Sequence, residues 1–362
     1  MSLWRHSQFL PAIPRDARVS LGEGNTPLVQ SIRLGPSVGL KRLYFKLESC
    51  NPTGSYKDRF AALAVSDMRS KGLTSCLSTS SGNAGSALAA YCAAAGLACC
   101  VVTIDSAPIG KLRQMQAYGA RLLRVRNFGR DAGVAGRVLD ILGRIAREQR
   151  AALHISAYRY SPVGMAGVQT ISHELAEQLP DGIDHIFVQA GGAGLMLAVA
   201  KGCRQLLDTG RLDRRPCVEC VQPAGNNTLA GPIRQGRSLG QLVACTTSVS
   251  GLQVPVVVDG NEAIPLIRES GGTGHVVTDE AIFEAQSRLA REEGIFCEPA
   301  AAVSVAGALQ SARQSEIDPH ATVVCLITGT GFKDETSLER MAGGEAAPVL
   351  EHPEDLQAWI SG

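Results

Sequence analysis

Residues 43–59 have the sequence Leu43-Tyr44-Phe45-Lys46-Leu47-Glu48-Ser49-Cys50-Asn51-Pro52-Thr53-Gly54-Ser55-Tyr56-Lys57-Asp58-Arg59. The apolar start is typical of a buried strand, and a helical pattern follows from residue 60 to 71. Between them, the Asn-Pro and Thr-Gly pairs indicate a tight turn, and Ser55 is expected to cap the helix. The stretch therefore predicts one strand-loop-helix unit.

The same alternation of apolar strands and helical patterns continues along most of the chain. Repeated units of this kind predict an α/β fold with parallel sheets covered by helices on both faces. Ligands of such sheets bind in the loops that leave the carboxyl ends of the strands, so the chemistry is expected there. After Asp334 the pattern is typical of mixed helix and loop. Further strands are predicted near residues 76–79, 99–104, 121–125, 186–189, 217–221 and 323–328, and further helices over 111–118, 133–147, 195–207 and 279–292.

Composition excludes several classes of protein. The 362 residues are 45% hydrophobic and 19% charged, with a formal net charge of +1. Without a broad basic field, binding to nucleic acid or to an anionic membrane is not expected. Residues 84–104 are almost uncharged, but they are rich in alanine and divided by Gly96, which favours a helix and then a strand over a membrane span. The N-terminus lacks the apolar core of a signal peptide, so a cytoplasmic protein is expected.

The eleven cysteines do not indicate a disulfide framework. Their number is odd, and several lie in apolar runs, where free cysteine behaves as a small hydrophobe. The Cys-x-x-Cys pair Cys217 and Cys220 lies in a predicted strand, which sends the two thiols to opposite faces. No second pair completes a zinc site, so no metal is predicted and the cysteines are interpreted as reduced, buried thiols.

Lys57 is the first candidate for catalysis. A lysine at the start of a helix lies beside the positive end of the helix dipole, which favours the neutral amine. A neutral amine is what the formation of a Schiff base requires. A lone lysine is usually an exposed surface residue, but the specialised turn before Lys57 favours a functional role.

Two glycine-containing loops also separate a strand from a helix. The first is Ser80-Ser81-Gly82-Asn83-Ala84-Gly85, where small residues let a flat ligand approach the backbone and Asn83 offers a donor and an acceptor. The second is Gln189-Ala190-Gly191-Gly192-Ala193-Gly194-Leu195, whose successive N–H groups are typical of an anion site. Leu197 stands where a dinucleotide fingerprint needs a small residue, which favours a single phosphate. Alone, the first loop is equally typical of an ordinary helix cap, and the second is a weak signal because glycine loops are common.

A fourth loop, Thr328-Gly329-Thr330-Gly331-Phe332-Lys333-Asp334, follows the last apolar strand. Thr328 would place a hydroxyl at the strand end, and a plain turn is the alternative. Together the four loops supply a lysine amine, an amide, a phosphate cradle and a hydroxyl. These groups match the aldehyde, phenolic oxygen, phosphate and ring nitrogen of pyridoxal 5'-phosphate (PLP).

In their residues and in their order along the chain, these segments resemble those of the fold-type II PLP enzymes, and among them the threonine synthases. The similarity extends over about residues 21–334, nearly the whole chain. Tyr56 stands where that family usually has phenylalanine. The matching segments are Gly22-Glu23-Gly24-Asn25-Thr26-Pro27-Leu28, Asn51 to Arg59, Gly110-Lys111-Leu112 with Gly119-Ala120, Glu298-Pro299-Ala300 and Thr328 to Asp334.

The resemblance implies two domains, each an open, mostly parallel sheet flanked by helices, with PLP in the cleft between them. We expect a large domain of residues 1–50 and 160–345, a small mobile domain of residues 51–159, and a tail of residues 346–362. A homodimer acting on a small amino acid is expected. The implied cofactor contacts are Lys57 as the Schiff-base lysine, Asn83 at the phenolic oxygen, Gly191, Gly192, Ala193, Gly194 and Leu195 at the phosphate, and Thr328 at the pyridine nitrogen.

The substrate pocket departs from the family pattern. Threonine synthases bind the phosphate of O-phosphohomoserine with a segment of the form Asn-Ser-x-Asn-Pro-x-Arg-x-x-Gly-Gln-Lys-Thr. Here Tyr158 replaces the first asparagine, Gly164 the arginine and Gln169 the lysine, and Ala84 replaces a threonine in the loop Ser80 to Gly85. Gly164 is expected to open volume, and Arg159 is the cation that remains. The expected substrate contacts are Ser80, Ser81, Gly82, Ala84, Tyr158, Arg159 and Gly164, with the loop Ser80 to Gly85 binding the carboxylate.

Several functions stay open at this point. One is elimination or replacement at Cβ or Cγ of an amino acid by an enzyme that resembles threonine synthase, and another is a genuine threonine synthase. A serine, threonine or diaminopropionate ammonia-lyase is a further version. From other classes, a non-catalytic ligand-binding relative and a nicotinamide-dependent dehydrogenase remain, although Lys57 argues against the first and Leu197 against the second.

Overall fold

The computed structural model of the chain describes residues 2–105, 107, 109–128, 131–343 and 347–361, without the side chains at 109–111, 132 and 361. Its strands form two sheets of six and four strands. The strands are β1 (Leu28–Gln30), β2 (Arg42–Lys46), β3 (Ser75–Ser78), β4 (Ala98–Ile104), β5 (Arg121–Val125), β6 (Ala151–Leu153), β7 (His185–Gln189), β8 (Cys217–Pro223), β9 (Gly274–Val277) and β10 (Thr322–Leu326).

Helices separate most of these strands along the chain. They are α1 (Leu34–Ser37), α2 (Lys57–Ser70), α3 (Asn83–Ala95), α4 (Ile109–Ala117), α5 (Ala132–Glu148), α6 (Pro162–Val168), α7 (Thr170–Gln178), α8 (Gly194–Asp208), α9 (Ala230–Arg234), α10 (Gly260–Glu269), α11 (Asp279–Glu293), α12 (Pro299–Arg313), α13 (Glu335–Ala342) and α14 (Leu356–Ser361).

Both sheets are built almost entirely from parallel pairs. The larger has the order β1-β2-β10-β7-β8-β9, and the smaller β5-β4-β3-β6. Only β1 and β2 pair antiparallel among the described strands. The smaller sheet uses strands from residues 75–153, which lie inside the expected small domain, and the larger sheet uses the flanking parts of the chain. The domain boundaries themselves stay a prediction.

Successive side chains along the strands of the larger sheet point to opposite faces, and both faces are buried. Ile186, Val188 and Val218 pack in one apolar cluster that includes residues of α8. Phe187 and Val221 point the other way, into a cluster that includes residues of α12. Helices therefore cover both faces of the sheet, and the α/β fold predicted from the sequence is confirmed.

The alanine-rich stretch contains a helix and a strand, as predicted. Gly96, with a φ of +68°, ends α3 in the left-handed conformation, and β4 follows at once. In the described parts of the chain, no helix is long and apolar enough to cross a membrane. All eleven cysteines fall within those parts and are free thiols. Cys220 joins the cluster on the α8 face, so Cys217 lies on the opposite face.

Candidate active site

The loop before α2 is held against the carboxyl end of β10. Ser55 forms a bridge with Gly329, and the Tyr56 N–H donates to the Thr328 carbonyl over 3.0 Å. Gly54 has a φ of +82°, and a Cβ there would lie 2.8 Å from Cγ2 of Thr330, so the turn requires glycine. The prediction that Ser55 caps α2 is wrong: Tyr56 occupies the N-cap position, and the buried Ser55 hydroxyl makes no hydrogen bond among the described residues.

A buried charge network fixes the first turn of α2. The Arg59 guanidinium is completely buried and donates to both Glu48 and Glu174, at 2.7 Å to each. The buried Lys46 ammonium donates to Glu174 as well, also at 2.7 Å. Because two carboxylates meet two cations and further hydrogen bonds, the network is compensated, and it ties α2 to β2 and α7.

Lys57 is the first residue of α2, and its amine lies in the interior. Nζ contacts the Tyr56 hydroxyl and lies 4.1 Å from the centroid of the Tyr56 ring. Burial lowers the pKa of Lys57 to about 7, although Glu298 and Asp259 pull it upward. The neutral amine that was expected from the helix dipole is thus favoured by desolvation.

Asn83 begins α3 and reaches across to the larger sheet. Its Nδ2 donates to both carboxylate oxygens of Glu298, over 3.0 and 3.1 Å, while its buried Oδ1 makes no hydrogen bond among the described residues. Ser80, Ser81 and Gly82 lie half-buried just before this helix, and Ala84 is buried in its first turn. The Asn83 side-chain carbonyl and the first-turn N–H groups of α3 are therefore groups that a ligand can bind.

The glycine loop joins β7 to α8. Ala193 has a φ of +73°, so the backbone turns sharply just before the helix starts at Gly194, with Leu195 next. Side chains crowd the loop from one side: a Cβ on Gly191 would lie 3.3 Å from Val254, and one on Gly192 would lie 3.3 Å from Val258. Consecutive backbone N–H groups at the start of a long helix form a cradle for one phosphate.

Thr328 follows β10 and is buried. Gln189, the last residue of β7, donates from Nε2 to the Thr328 hydroxyl oxygen over 2.7 Å. Because that oxygen already accepts a hydrogen bond, its own hydrogen is free to be donated elsewhere. This geometry suits a hydroxyl that donates to an unprotonated ring nitrogen.

The described residues fit PLP. Three buried polar atoms make no hydrogen bond there: Ser55 Oγ, Asn83 Oδ1 and Gln189 Oε1. Ser55 lies in the loop before Lys57, Asn83 begins α3, and Gln189 precedes the glycine loop and donates to Thr328. Buried polar atoms are usually hydrogen-bonded, so a ligand atom at each of them would supply the missing partner. A polar ligand with a phosphate at the glycine loop would satisfy this set.

Two of the residues expected to bind the substrate, Tyr158 and Arg159, are held through their backbones by Asp259. The backbone N–H groups of Tyr158 and Arg159 donate to Asp259, over 2.8 and 3.2 Å, and Asp259 donates its own N–H to the Gly192 carbonyl. The Tyr158 hydroxyl turns away, donating to the Met165 carbonyl and accepting from Gln169. The Arg159 side chain is exposed.

Gly164 does not open the expected volume. It is buried in α6, and a Cβ there would lie 2.8 Å from the ring of Phe60 and 3.1 Å from Cβ of Ala64. The space that an arginine side chain would need is filled by α2, which argues against a contact between Gly164 and a substrate. The Lys111 side chain, in a segment that matches the family, lies outside the described residues.

Four contributors were not singled out from the sequence. Gln189 and Tyr56 lay in the quoted loops, and Glu298 lay in a matching segment. Their positions could have suggested a role. Asp259 lay in a part of the chain without any recognised motif, and only the fold brings it to the glycine loop.

Comparison with known proteins defines the class. A family model described as pyridoxal-phosphate dependent enzyme matches residues 19–329. The chain belongs to this family, and its cofactor is PLP. Within the family it is a lyase or synthase that resembles threonine synthase.

Two relatives and one solved structure illustrate the resemblance. The chain is 34% identical to a threonine synthase of Methanocaldococcus jannaschii, covering 92% of this chain and 81% of that protein. It is 32% identical to a threonine synthase of Halalkalibacterium halodurans, covering 99% and 98%. The processed form of threonine deaminase isoform 2 from Solanum lycopersicum superposes with a TM-score of 0.75 at 20% identity, covering 95% of this chain and 94% of that chain, which shows the shared fold.

Proposed function

We propose that the enzyme eliminates or replaces a substituent at Cβ or Cγ of an amino acid, with Lys57 as the catalytic base. The observation that carries the proposal is the Lys57 amine. It is partly buried, has its pKa lowered to about 7 by desolvation and lies at the start of α2, beside the carboxyl end of β10. An amine with this pKa both loses and accepts a proton readily near neutral pH.

The residues that would hold PLP come from both sheets. Lys57 would hold its aldehyde carbon, Asn83 its phenolic oxygen, and Thr328 its ring nitrogen. The N–H groups of Gly191, Gly192, Ala193, Gly194 and Leu195 would hold its phosphate. When bound, the cofactor supplies an electron sink for the carbanion at Cα of the amino acid.

Groups of the protein would bind the substrate and remove its proton. The N–H groups of the loop from Ser80 to Ala84, at the start of α3, bind the substrate carboxylate and orient Cα toward Lys57. Lys57 Nζ then accepts the proton from Cα. Thr328 donates a hydrogen bond and no proton, which favours elimination and replacement over transamination.

The substrate we favour carries no phosphate dianion. Three cation or amide positions of the family's phosphate-binding segment are occupied by Tyr158, Gly164 and Gln169, and the Tyr158 and Gln169 side chains bond to each other over 2.9 Å. The exposed Arg159 lies with its guanidinium carbon 5.9 Å from the centroid of the Tyr160 ring. Each missing charge-assisted hydrogen bond removes about 1.5–3 kcal/mol of binding free energy. The loss of two would lower the affinity for a phosphorylated substrate roughly a hundredfold or more.

A second candidate is threonine synthase itself, acting on O-phosphohomoserine. Its support is the 34% identity to a threonine synthase over 92% of this chain. In that case another cation, such as Arg159 after a rotation of its side chain, would hold the substrate phosphate.

A substrate panel separates the two candidates. The PLP-loaded enzyme is offered O-phosphohomoserine, O-phosphoserine, O-acetylserine, serine, threonine and diaminopropionate, and the release of phosphate, acetate, ammonia, 2-oxo acid and threonine is measured. Preference for an unphosphorylated amino acid supports the first candidate. Conversion of O-phosphohomoserine to threonine at roughly 10⁴ M⁻¹s⁻¹ or better establishes the second. Lys57→Ala is the control and should release nothing.

We further propose a homodimer in a reducing compartment such as the cytoplasm. The support for the dimer is the family resemblance alone, and the support for the compartment is that all eleven cysteines are free. Sedimentation of the purified enzyme tests the dimer, and cell fractionation tests the compartment.

A further inference from the structure

Three metal-binding side chains meet at the end of the larger sheet opposite Lys57. His185 is the first residue of β7 and pairs in register with Cys217, the first residue of β8; Phe187 pairs with Glu219. Because the strands are parallel, His185, Cys217 and Glu219 point from the same face. The loops that hold the proposed cofactor contacts leave the carboxyl ends of these strands, so the cluster is separate from the active site.

The ligand atoms of this cluster are close together. One ligand atom from each of His185, Cys217 and Glu219 lies within 4.8 Å of the others. The His185 Nδ1 and Glu219 Oε1 atoms are 2.8 Å apart. The Glu219 side chain is only 5% exposed, whereas that of His185 is 21% exposed. The carboxylate is thus fixed in the interior and the imidazole lies at the edge of solvent.

A second layer of hydrogen bonds orients the carboxylate. His275 Nε2 donates to Glu219 Oε2 over 3.0 Å, and the Thr273 N–H donates to the same oxygen over 2.8 Å. Ser311 in turn contacts His275 Nδ1 over 2.9 Å. With Oε2 saturated by two donors, Oε1 is the oxygen left for His185 and for any ion between them. Outer partners of this kind are typical of metal-binding carboxylates.

Two members of the cluster, His185 and Glu219, line a cavity of about 310 Å³. An ion can therefore enter from solvent, and a water molecule can complete its coordination. The cavity is lined by His185, Glu219 and His275 together with Arg234, Thr273 and Glu316.

We propose that His185, Cys217 and Glu219 bind a zinc ion, with the fourth position open to the cavity. One imidazole, one thiolate and one carboxylate are all ligands that zinc accepts in tetrahedral sites. On binding, the Cys217 thiol releases its proton to solvent. The hydrogen bond between His185 Nδ1 and Glu219 Oε1 is replaced by a bond from each atom to the ion, and the neutral imidazole then carries its one proton on Nε2. The pair Cys217 and Cys220 does not form the site, since the two thiols lie on opposite faces; the partners of Cys217 come from the neighbouring strand and from its own face.

The test uses the full-length, PLP-loaded enzyme after treatment with a chelator. Zinc is returned in competition with a chromophoric chelator, and zinc X-ray absorption reports the ligands. The expected result is one zinc per chain with one sulfur at about 2.3 Å and lighter ligands at about 2.0–2.1 Å. Cys217→Ser should remove the sulfur signal and weaken zinc affinity by more than the about 10–100-fold typical of an outer partner.

Two further variants sharpen the outcome. Cys245→Ser, at a partly exposed cysteine outside the cluster, should bind zinc as the parent does. His275→Gln should keep the sulfur signal while weakening affinity about 10–100-fold. The visible absorbance of bound PLP and the melting temperature without zinc should be unchanged in Cys217→Ser, which shows that the variant is folded.

Three results would overturn the proposal. The first is a sulfur signal that persists in Cys217→Ser, and the second is equal affinity in Cys217→Ser and Cys245→Ser. The third is a zinc site with three sulfurs, which would place the ion at the buried cluster of Cys76, Cys92 and Cys99 instead.

Discussion

At the residue scale, the protonation of Lys57 should govern how fast the apoenzyme takes up PLP. Only the neutral amine can attack the aldehyde, and burial lowers its pKa to about 7. We expect the rate of uptake to be constant above pH 7 and to fall about tenfold per unit below it. The measurement is the growth of the visible absorbance of lysine-bound PLP in stopped-flow experiments across pH 5–9. A rate that still rises tenfold per unit between pH 8 and 9 would assign Lys57 an ordinary lysine pKa.

Thr328 offers a second prediction at this scale. Gln189 donates to its hydroxyl oxygen, which leaves the hydroxyl hydrogen free for the proposed bond to the ring nitrogen. Thr328→Asp should hold a proton on that nitrogen and shift the products toward transamination, measured as the ratio of transaminated cofactor to released product. Thr322→Val, at the other end of the same strand, is the control and should leave the ratio unchanged. An unchanged ratio in Thr328→Asp would separate Thr328 from the ring nitrogen.

At the scale of elements, the buried network at the start of α2 should dominate the stability of the loop that carries Lys57. Arg59→Met leaves Glu48 and Glu174 with one cation fewer in the interior. We expect the free energy of unfolding to fall by about 3–5 kcal/mol in urea denaturation. The control lies at the C-terminal end of the same helix: Lys71→Met removes an exposed ion pair with Asp67 and should cost about 0–1 kcal/mol. Equal losses in both variants would contradict a structural role for the network.

The packing of α6 on α2 predicts that alanine at Gly164 lowers the free energy of unfolding, whereas alanine at the unpacked Gly136 in α5 raises it. Gly164→Ala places a methyl group 2.8 Å from the Phe60 ring and should lower the free energy of unfolding by about 1–3 kcal/mol. Gly136→Ala, inside α5 with no atom within 4 Å of the new Cβ, should raise it by about 0.5–1 kcal/mol. Both values come from urea denaturation. A stabilising Gly164→Ala would mean that the α2–α6 contact is looser than the structure has it.

The elements also show what a sequence pattern can and cannot predict. The predicted strand at residues 121–125 matches β5, and the predicted helix at 279–292 matches α11 to within one residue. Helix α12 was not predicted as an element, since it is buried on nearly every side and has no polar face to give it a period. The antiparallel β1 is three residues long, too short for any alternation to stand out.

The site divides in the same way. Lys57, Asn83, the glycine loop and Thr328 could be proposed from the sequence because each lies in a loop with recognisable turn residues. Asp259 could not, since its role depends on a turn far along the chain returning to Gly192. Gly164 was misjudged because a missing side chain in sequence does not say which neighbour fills the space. The expected Ser55 cap was wrong because its backbone pairs with Gly329 instead.

At the scale of the whole molecule, the proposed PLP contacts join the two sheets. Asn83 follows a strand of the smaller sheet, whereas Thr328 and the glycine loop follow strands of the larger one. Asn83 is also joined to the start of α12 by its hydrogen bonds to Glu298. A cofactor held by both sheets would therefore add a link between them.

Removing PLP should consequently lower the thermal stability of the whole chain. A ligand that binds only the folded state at a hundredfold excess over its dissociation constant adds about 2.7 kcal/mol to the free energy of unfolding. We expect the PLP-loaded enzyme to unfold in scanning calorimetry at a higher temperature than the apoenzyme and in a single transition, since both sheets must release the cofactor together. Pyridoxal without its phosphate should recover only part of the increase, because it leaves the N–H groups of the glycine loop unpaired. Inorganic phosphate added with pyridoxal should recover more, by filling that cradle separately. If pyridoxal alone stabilises the chain as much as PLP does, the glycine loop does not bind the phosphate and another anion site must be sought.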